Sequence, residues 1–188
     1  MKQQYKLKIY RGTPGKQYWE IFDIDDDVGT NIISALMHIR KHPINDKGEK
    51  VPPISWEDGC LEEVCGSCSM LINGRPRQAC TALLKNLCKE SGSQTITLAP
   101  FTKFPLLRDL MVDRSRMFDS LKKIHAWIDI DGYYDKESAP RISSNKQEIR
   151  YVLSTCMTTG SCIEACPQSS LKTHFIGASA ISQARLFN

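Results

Sequence analysis

The chain has 188 residues, and its 41% hydrophobic and 24% charged content is an ordinary globular composition that argues against a disordered or fibrous protein. Its 25 basic and 21 acidic residues give a formal net charge of +4 with interspersed signs and no basic run, so nucleic-acid binding has little support. No apolar stretch approaches the roughly 18 residues that a transmembrane helix needs, which predicts a protein in the cytosol or facing it.

The first elements in the chain are predicted to be two paired strands. Tyr5, Leu7 and Ile9 alternate with lysines, which is the period-two pattern of a half-buried strand. Residues 18–24 are rich in aromatic and β-branched side chains, which favour a second strand. Residues 12–15 between them supply turn chemistry, so the two strands are predicted to form a hairpin.

An amphipathic helix is predicted next. Thr30 or Asn31 is a suitable N-cap, and the apolar residues that follow recur at helical spacing as far as the turn-prone residues 42–43. A shorter helix is predicted at residues 82–87, and a strand at residues 95–98. The first half is therefore predicted to be a mixed β domain with one main helix.

A second hairpin is predicted around Asn73 and Gly74, because this dipeptide is the strongest short-range signal for a type I′ turn. With these two as the turn residues, Cys68 faces Ala79 across the strands. The turn therefore carries Cys80 back toward Cys68 and its neighbours in the chain.

The second half of the chain is predicted to be helical. Residues 99–105 have the composition of a linker, and apolar spacing typical of helices follows at residues 106–124. A polar loop at residues 131–144 precedes further helices at residues 149–153 and 175–187.

Four of the eight cysteines are spaced C-x4-C-x2-C-x11-C: Cys60, Cys65, Cys68 and Cys80. The first three match the plant-type ferredoxin pattern for a 2Fe-2S cluster. Three thiolates from one short loop require a tightly curled backbone, and Gly59 and Gly66 lie where close approach or positive φ would be needed. The four cysteines are predicted to be the ligands of a 2Fe-2S cluster.

Structural zinc is the alternative for this group, since Zn²⁺ also accepts four thiolates, although zinc sites usually pair C-x2-C with a second C-x2-C or a pair of histidines. Cys88 lies on an apolar helical stretch and is interpreted as a small buried hydrophobic residue. The four histidines are scattered and form no ligand spacing.

Several segments together resemble the iron-sulfur subunit of succinate dehydrogenase and fumarate reductase, the complex II family. The cluster region contributes residues 59–60, 64–70, 73–74 and 79–80, and the remainder of the chain contributes residues 104–105, 108–110, 113–115 and 175–178. The resemblance spans essentially the whole chain.

The resemblance implies an α+β fold in which a β-grasp 2Fe-2S ferredoxin-like domain at residues 1–104 precedes a partial α-helical, 4Fe-4S ferredoxin-like domain at residues 105–188. It implies an electron-transfer subunit of an oxidoreductase of the tricarboxylic acid cycle. Single electrons would pass from an FAD-containing flavoprotein subunit, through the 2Fe-2S cluster and two further clusters, toward quinone at a membrane-anchor subunit. Substrate chemistry would occur on the flavoprotein. The chain would be cytoplasmic and peripheral on the inner face of the energy-transducing membrane, or on the matrix face in a mitochondrion.

Members of this family carry a C-x2-C-x2-C-x3-C-P run in the helical domain, for 4Fe-4S and 3Fe-4S clusters. Here the run is reduced to Cys156, Cys162 and Cys166, and Thr159 occupies the position of the second cysteine. Threonine is a poor iron ligand, because its hydroxyl is not ionised at neutral pH and oxygen is harder than thiolate sulfur. The second cysteine run of the family lies downstream of Asn188. We therefore expect these three cysteines to be remnants and expect no second cluster in this chain alone.

Two explanations of this gap stay open. Either the subunit is split or shortened, with another chain supplying the missing cysteines, or the sequence is a fragment of a longer subunit. A second function hypothesis is a redox-incomplete assembly or scaffold subunit of the same complex. A zinc-binding structural module is the third.

Overall fold

The computed structural model describes residues 4–25, 31–127 and 142–187. The strands in these ranges are β1 (Gln4–Thr13), β2 (Lys16–Asp25), β3 (Ser69–Ile72), β4 (Arg75–Gln78), β5 (Thr95–Ala99), β6 (Leu106–Arg108) and β7 (Met111–Val112). The helices are α1 (Ile32–Lys41), α2 (Leu84–Ser91), α3 (Ser115–Lys123), α4 (Ser144–Ser154), α5 (Ser161–Ala165) and α6 (Gly177–Phe187). Most of the predicted polar loop at 131–144 lies outside the described residues, as does Thr30.

A five-stranded mixed sheet forms the first half of the molecule, with strand order β2-β1-β5-β3-β4. β1 and β2 form the predicted antiparallel hairpin, and β1 also pairs in parallel with β5, where Leu7 lies opposite Ile96. The side chains of Tyr5, Leu7 and Ile9 are all buried, as their alternation with lysines predicts. The combination of sheet and helices confirms the predicted α+β fold class.

Helix α1 covers one face of this sheet. Its N-cap is Asn31, whose side chain accepts a hydrogen bond of 2.9 Å from the N–H of Ser34. Ile32, Leu36 and Ile39 are buried in the same core as the sheet residues. The predicted helix at 82–87 is present as α2, which extends further and ends at Gly92 in the left-handed conformation typical of a C-cap.

The predicted Asn73-Gly74 hairpin is confirmed. Asn73 and Gly74 have φ values of 50° and 73°, as a type I′ turn requires. Ser69 lies opposite Gln78, and the N–H of Ala79 donates to the carbonyl of Cys68 at 3.2 Å. The turn therefore fixes the register that brings residue 80 beside residue 68.

The helix predicted from residue 106 is wrong for residues 106–112, which form the antiparallel strands β6 and β7. Long-range hydrogen bonds explain the difference. Asp109 has φ of 48°, its N–H donates to the carbonyl of Gly12 at 2.8 Å, and its carboxylate accepts from the N–H groups of Gly12 and Ser55. These tertiary contacts override the local helical spacing of the leucines.

Charged side chains join β1 to the segment around Asp109. The Arg11 side chain is buried; it donates to Glu20 at 2.7 Å and to the carbonyl of Pro52 at 2.8 Å, and its Nε lies 3.5 Å from a carboxylate oxygen of Asp109. A buried arginine with two carboxylate partners and a carbonyl partner locks the first hairpin to the chain that precedes the cysteine loop.

A second, smaller core forms in the helical half. Phe101 and Phe104 are each only 2% exposed and pack with Val112, Met117 and Ile163. The segment predicted as a linker is thus anchored rather than loose.

The buried carboxylate of Glu164 holds the same segment, since it accepts hydrogen bonds from the N–H groups of Thr102 and Lys103 at 3.1 and 3.0 Å.

α3, α4 and α6 confirm the predicted helices at 117–124, 149–153 and 175–187, with α6 starting at Gly177. The predicted domain boundary after residue 104 stays a prediction. None of the helices in the described ranges has the length and apolar character needed to cross a membrane.

Candidate metal centre

The loop that carries the first three cysteines of the C-x4-C-x2-C-x11-C group has a strongly curled backbone. Leu61 and Glu63 both have φ of 60°, and Gly66 has φ of 72°. A left-handed conformation costs a residue with a Cβ about 1–2 kcal/mol, and such strain concentrates at functional sites. The positive φ of Gly66 confirms the predicted left-handed conformation. The predicted close approach is found at Gly59, since a Cβ there would lie 3.1 Å from the sulfur of Cys65.

This curl points backbone N–H groups at sulfur. The sulfur of Cys60 accepts from the N–H groups of Glu62, Val64 and Cys65 at 3.3, 3.4 and 3.2 Å. The N–H of Cys60 donates in turn to the sulfur of Cys65 at 3.3 Å. Donors of this kind stabilise thiolate over thiol, so the loop is built to hold anionic sulfur.

The first two cysteines therefore form one pair. The N–H of Cys60 and then the hydroxyl of Ser67 lower the pKa of Cys65 to about 6, below the ordinary thiol value. A thiolate is the form that binds iron. Ser67 was not predicted as a functional residue, because a serine between two cysteines gives no signal of its own in the sequence.

Cys68 and Cys80 form a second pair. They are 2% and 5% exposed, and the Asn73-Gly74 hairpin places them next to each other. Burial raises the pKa of Cys68 to about 11, and the adjacent Cys80 thiol adds to that effect, whereas the N–H groups of Cys80 and Ala79 oppose it. The hairpin is also tied to the loop, since the side-chain amide of Gln78 donates to the carbonyl of Glu63 at 3.3 Å.

The donor set fits a 2Fe-2S cluster. Such a cluster takes two thiolates on each iron, and the four thiols lie as two pairs in a loop rich in N–H donors to sulfur. Among the described residues, no three Cys, His, Asp or Glu side chains converge closely enough to hold a single ion. The assignment of individual ligands stays a prediction.

The second cysteine group lies in the helical half. Cys156, Cys162 and Cys166 are partly buried and carry no disulfide. The hydroxyl of Ser169 and the N–H of Gln168 lower the pKa of Cys166. The structure does not bring the three together as one ion site, so their role as second-cluster remnants stays a prediction.

Thr159 faces the first cluster loop. Its hydroxyl accepts from the N–H of Ser161 at 3.3 Å, and its methyl carbon would lie 2.2 Å from a Cβ added to Gly66. The residue that replaces a cysteine thus packs directly on the backbone between Cys65 and Cys68.

Arg114 is the other residue that the sequence reasoning missed. It precedes α3, and its guanidinium donates to the carbonyls of Gly66, Ser67 and Ser69 at 3.2, 3.1 and 3.3 Å. The segment 113–115 carried part of the family resemblance, but nothing local in the sequence indicates that an arginine 45 or more residues away reaches the cysteine loop.

The comparisons with known proteins agree with this geometry. Residues 6–119 match the family described as the 2Fe-2S iron-sulfur cluster binding domain. The chain is 54% identical over 171 residues to the succinate dehydrogenase iron-sulfur subunit of Bacillus subtilis, covering 91% of this chain and 66% of that protein. It is 32% identical over 187 residues to the fumarate reductase iron-sulfur subunit of Escherichia coli O6:H1, covering 97% and 71%.

A solved structure shares the fold. A chain of the Mycobacterium smegmatis Sdh1 complex in the apo form matches with a TM-score of 0.78 and 18% identity, covering 99% of this chain and 76% of that chain. The chain spans about two thirds of the length of the curated relatives, with 66% in Bacillus subtilis and 65% in Haemophilus influenzae. It contains a 2Fe-2S cluster binding domain and belongs to the family of the iron-sulfur subunits of succinate dehydrogenase and fumarate reductase.

Proposed function

We propose that this chain is the electron-transfer iron-sulfur subunit of a succinate:quinone or quinol:fumarate oxidoreductase. The observation that carries the proposal is the pairing of Cys60 with Cys65 and of Cys68 with Cys80, in a loop and hairpin whose N–H groups donate to sulfur. A bound 2Fe-2S cluster supplies a one-electron couple. Family membership supports the same role.

Each pair of cysteines has a defined task in this proposal. Cys60 and Cys65 would hold one iron, and the N–H groups that donate to them would stabilise negative charge on the sulfur atoms. Cys68 and Cys80 would hold the other iron, and their burial keeps water away from that side of the site. The short hairpin between them sets their separation, because its register leaves little freedom at residue 80.

The partners follow from the same proposal. A flavoprotein subunit with FAD oxidises succinate or reduces fumarate and exchanges electrons singly with this chain. A membrane-anchor subunit binds quinone, and this chain lies between the two, peripheral on the inner face of the membrane.

The second candidate function is a redox-incomplete assembly or scaffold subunit of the same complex. The specific observation in its favour is Thr159, whose hydroxyl is engaged with Ser161 where the family carries a cysteine ligand. This candidate predicts a chain that binds the flavoprotein but passes no electrons from succinate to a quinone analogue.

The test compares two buried cysteines of similar exposure. We expect Cys68→Ser to abolish the paramagnetic 2Fe-2S signal of the dithionite-reduced protein, because it removes a thiolate. Cys88→Ser is the matched control; Cys88 is 5% exposed, and the proposal assigns it no iron. About two iron atoms per chain in the wild type would correspond to one cluster, and about six to a filled helical site as well.

A wild-type chain without iron, or a Cys68→Ser variant with an unchanged signal, would contradict the ligand assignment. A normal signal without electron transfer to a quinone analogue in the complex reconstituted with the flavoprotein and the anchor would favour the scaffold function instead.

A further inference from the structure

An arginine from the helical half reaches into the cysteine loop. The side chain of Arg114 is 16% exposed, and its two terminal nitrogens donate to three carbonyls in and directly after the loop: those of Gly66, Ser67 and Ser69. Three charge-assisted hydrogen bonds from one guanidinium fix the path of the chain between Cys65 and Cys68.

The same hydrogen bonds reach the peptide units next to the predicted ligands. The carbonyl of Gly66 shares its peptide unit with the N–H of Ser67, and the carbonyl of Ser67 shares its peptide unit with the N–H of Cys68. A peptide whose oxygen accepts from a cation becomes a stronger donor at its nitrogen, because hydrogen bonds in a chain polarise one another. Arg114 therefore polarises two N–H groups of the cysteine loop.

Within the described residues, Arg114 has one weak ion pair. Its Nη1 lies 4.0 Å from a carboxylate oxygen of Glu57, which is 40% exposed and screened by solvent. Burial lowers the pKa of the guanidinium, and Glu57, Cys68 and Cys65 act against this effect. An arginine remains protonated at neutral pH, so a fixed positive charge lies against the backbone of the cysteine loop.

We propose that Arg114 is a positioning residue that holds the cysteine loop through its carbonyls and raises the reduction potential of the cluster. This inference rests on the proposed function. The added electron makes the cluster more negative, and a fixed cation beside the loop stabilises that state more than the oxidised one. The helical half thus contributes to the redox behaviour of the first half without supplying a ligand.

Arg116, in the first turn of the helix that follows Arg114, is a matched control. Its guanidinium also donates to three backbone carbonyls, those of Ser170, Thr173 and Phe175, which lie in the helical half. Arg114→Gln and Arg116→Gln therefore remove the same charge and the same kind of carbonyl contact. They differ in whether the carbonyls belong to the cysteine loop.

The experiment is a redox titration of the purified protein followed by the paramagnetic signal of the reduced cluster. We expect Arg114→Gln to lower the ratio of reduced to oxidised cluster roughly tenfold at a fixed potential, a shift of about 59 mV to lower potential for a one-electron couple. Arg116→Gln should leave the potential unchanged. Glu57→Gln should shift it in the opposite direction by a smaller amount.

An unchanged potential in Arg114→Gln, or an equal shift in Arg116→Gln, would overturn the inference. If Arg114→Gln holds no cluster, the comparison passes to Arg114→Lys and Arg116→Lys. Lysine keeps the positive charge but cannot donate to three carbonyls at once. Arg114→Lys should therefore alter the g values of the paramagnetic signal, whereas Arg116→Lys should not. Identical spectra of the two variants would overturn the inference. Absence of any signal in the wild type would instead contradict the proposed function.

Discussion

The contact between Thr159 and Gly66 makes Gly66→Ala an informative substitution. A Cβ at residue 66 would lie 2.2 Å from the methyl carbon and 2.7 Å from the Cβ of Thr159, and the backbone φ of 72° is strained for alanine. We expect about 1–2 kcal/mol of backbone strain and a further 1–3 kcal/mol from the steric overlap. The total loss of folding free energy is therefore about 2–5 kcal/mol.

Gly74→Ala is the matched control. Gly74 has φ of 73°, and a Cβ there would meet no atom within 4 Å. It carries the strain without the overlap, so we expect a loss of only about 1–2 kcal/mol. The difference between the two variants isolates the contact of the cysteine loop with the helical half.

The assay is the thermal unfolding midpoint measured by circular dichroism, alone and combined with Thr159→Ser. The serine lacks the methyl carbon that overlaps with the added Cβ. Thr159→Ser should therefore raise the unfolding midpoint of the Gly66→Ala variant part of the way back to the wild-type value, and should not raise that of the Gly74→Ala variant. Equal midpoints for the two alanine variants would refute the packing of Thr159 on the loop.

Three further substitutions test the fold around the site. Arg11→Met removes the buried guanidinium that lies against Glu20 and Asp109 and should cost about 3–5 kcal/mol in urea unfolding; a loss below about 1 kcal/mol would contradict the buried ion network. Glu164→Gln weakens the hydrogen bonds that hold the segment after β5 and should cost about 1.5–3 kcal/mol in the same assay, whereas unchanged stability would mean that this carboxylate does not anchor it. The hydroxyl and N–H of Ser115 lower the pKa of Asp113, so this carboxylate stabilises the fold above its unfolded pKa and loses that effect as the pH falls through its folded pKa. Asp113→Asn should therefore be less stable than the wild type at neutral pH, and a difference that persists undiminished under acid conditions would refute the pKa argument.

Local chemistry accounts for the parts of the fold that the sequence predicts well. The Asn73-Gly74 dipeptide specifies its turn without help from the rest of the chain, and the register and the position of Cys80 follow from it. The alternation in β1 and the N-cap of α1 are likewise properties of a few neighbouring residues. Such elements can be predicted because the residues that determine them lie close together in the sequence.

The remainder depends on residues that are distant in the sequence. The leucines near residue 106 have helical spacing, yet hydrogen bonds from Asp109 and Leu110 to Gly12 and Ser55 make this segment a pair of strands. The approach of Arg114 to the cysteine loop and the placement of Thr159 on Gly66 are of the same kind. Neither could be predicted, because the sequence pattern carries no signal for which distant carbonyl or glycine a side chain will meet.

The parallel pairing of β1 with β5 has a consequence for biogenesis. Lys6 pairs with Thr95, so β1 has only its hairpin partner β2 until almost a hundred residues have left the ribosome, and the central strand β5 is the last of the sheet to be made. The hairpin of β3 and β4 joins the same sheet through β5, where Leu71 lies opposite Ala99, so it too can join the sheet only once β5 has formed. A ribosome that stalls before residue 95 would therefore leave that hairpin, and the cysteine loop that precedes it in the chain, without a sheet to join.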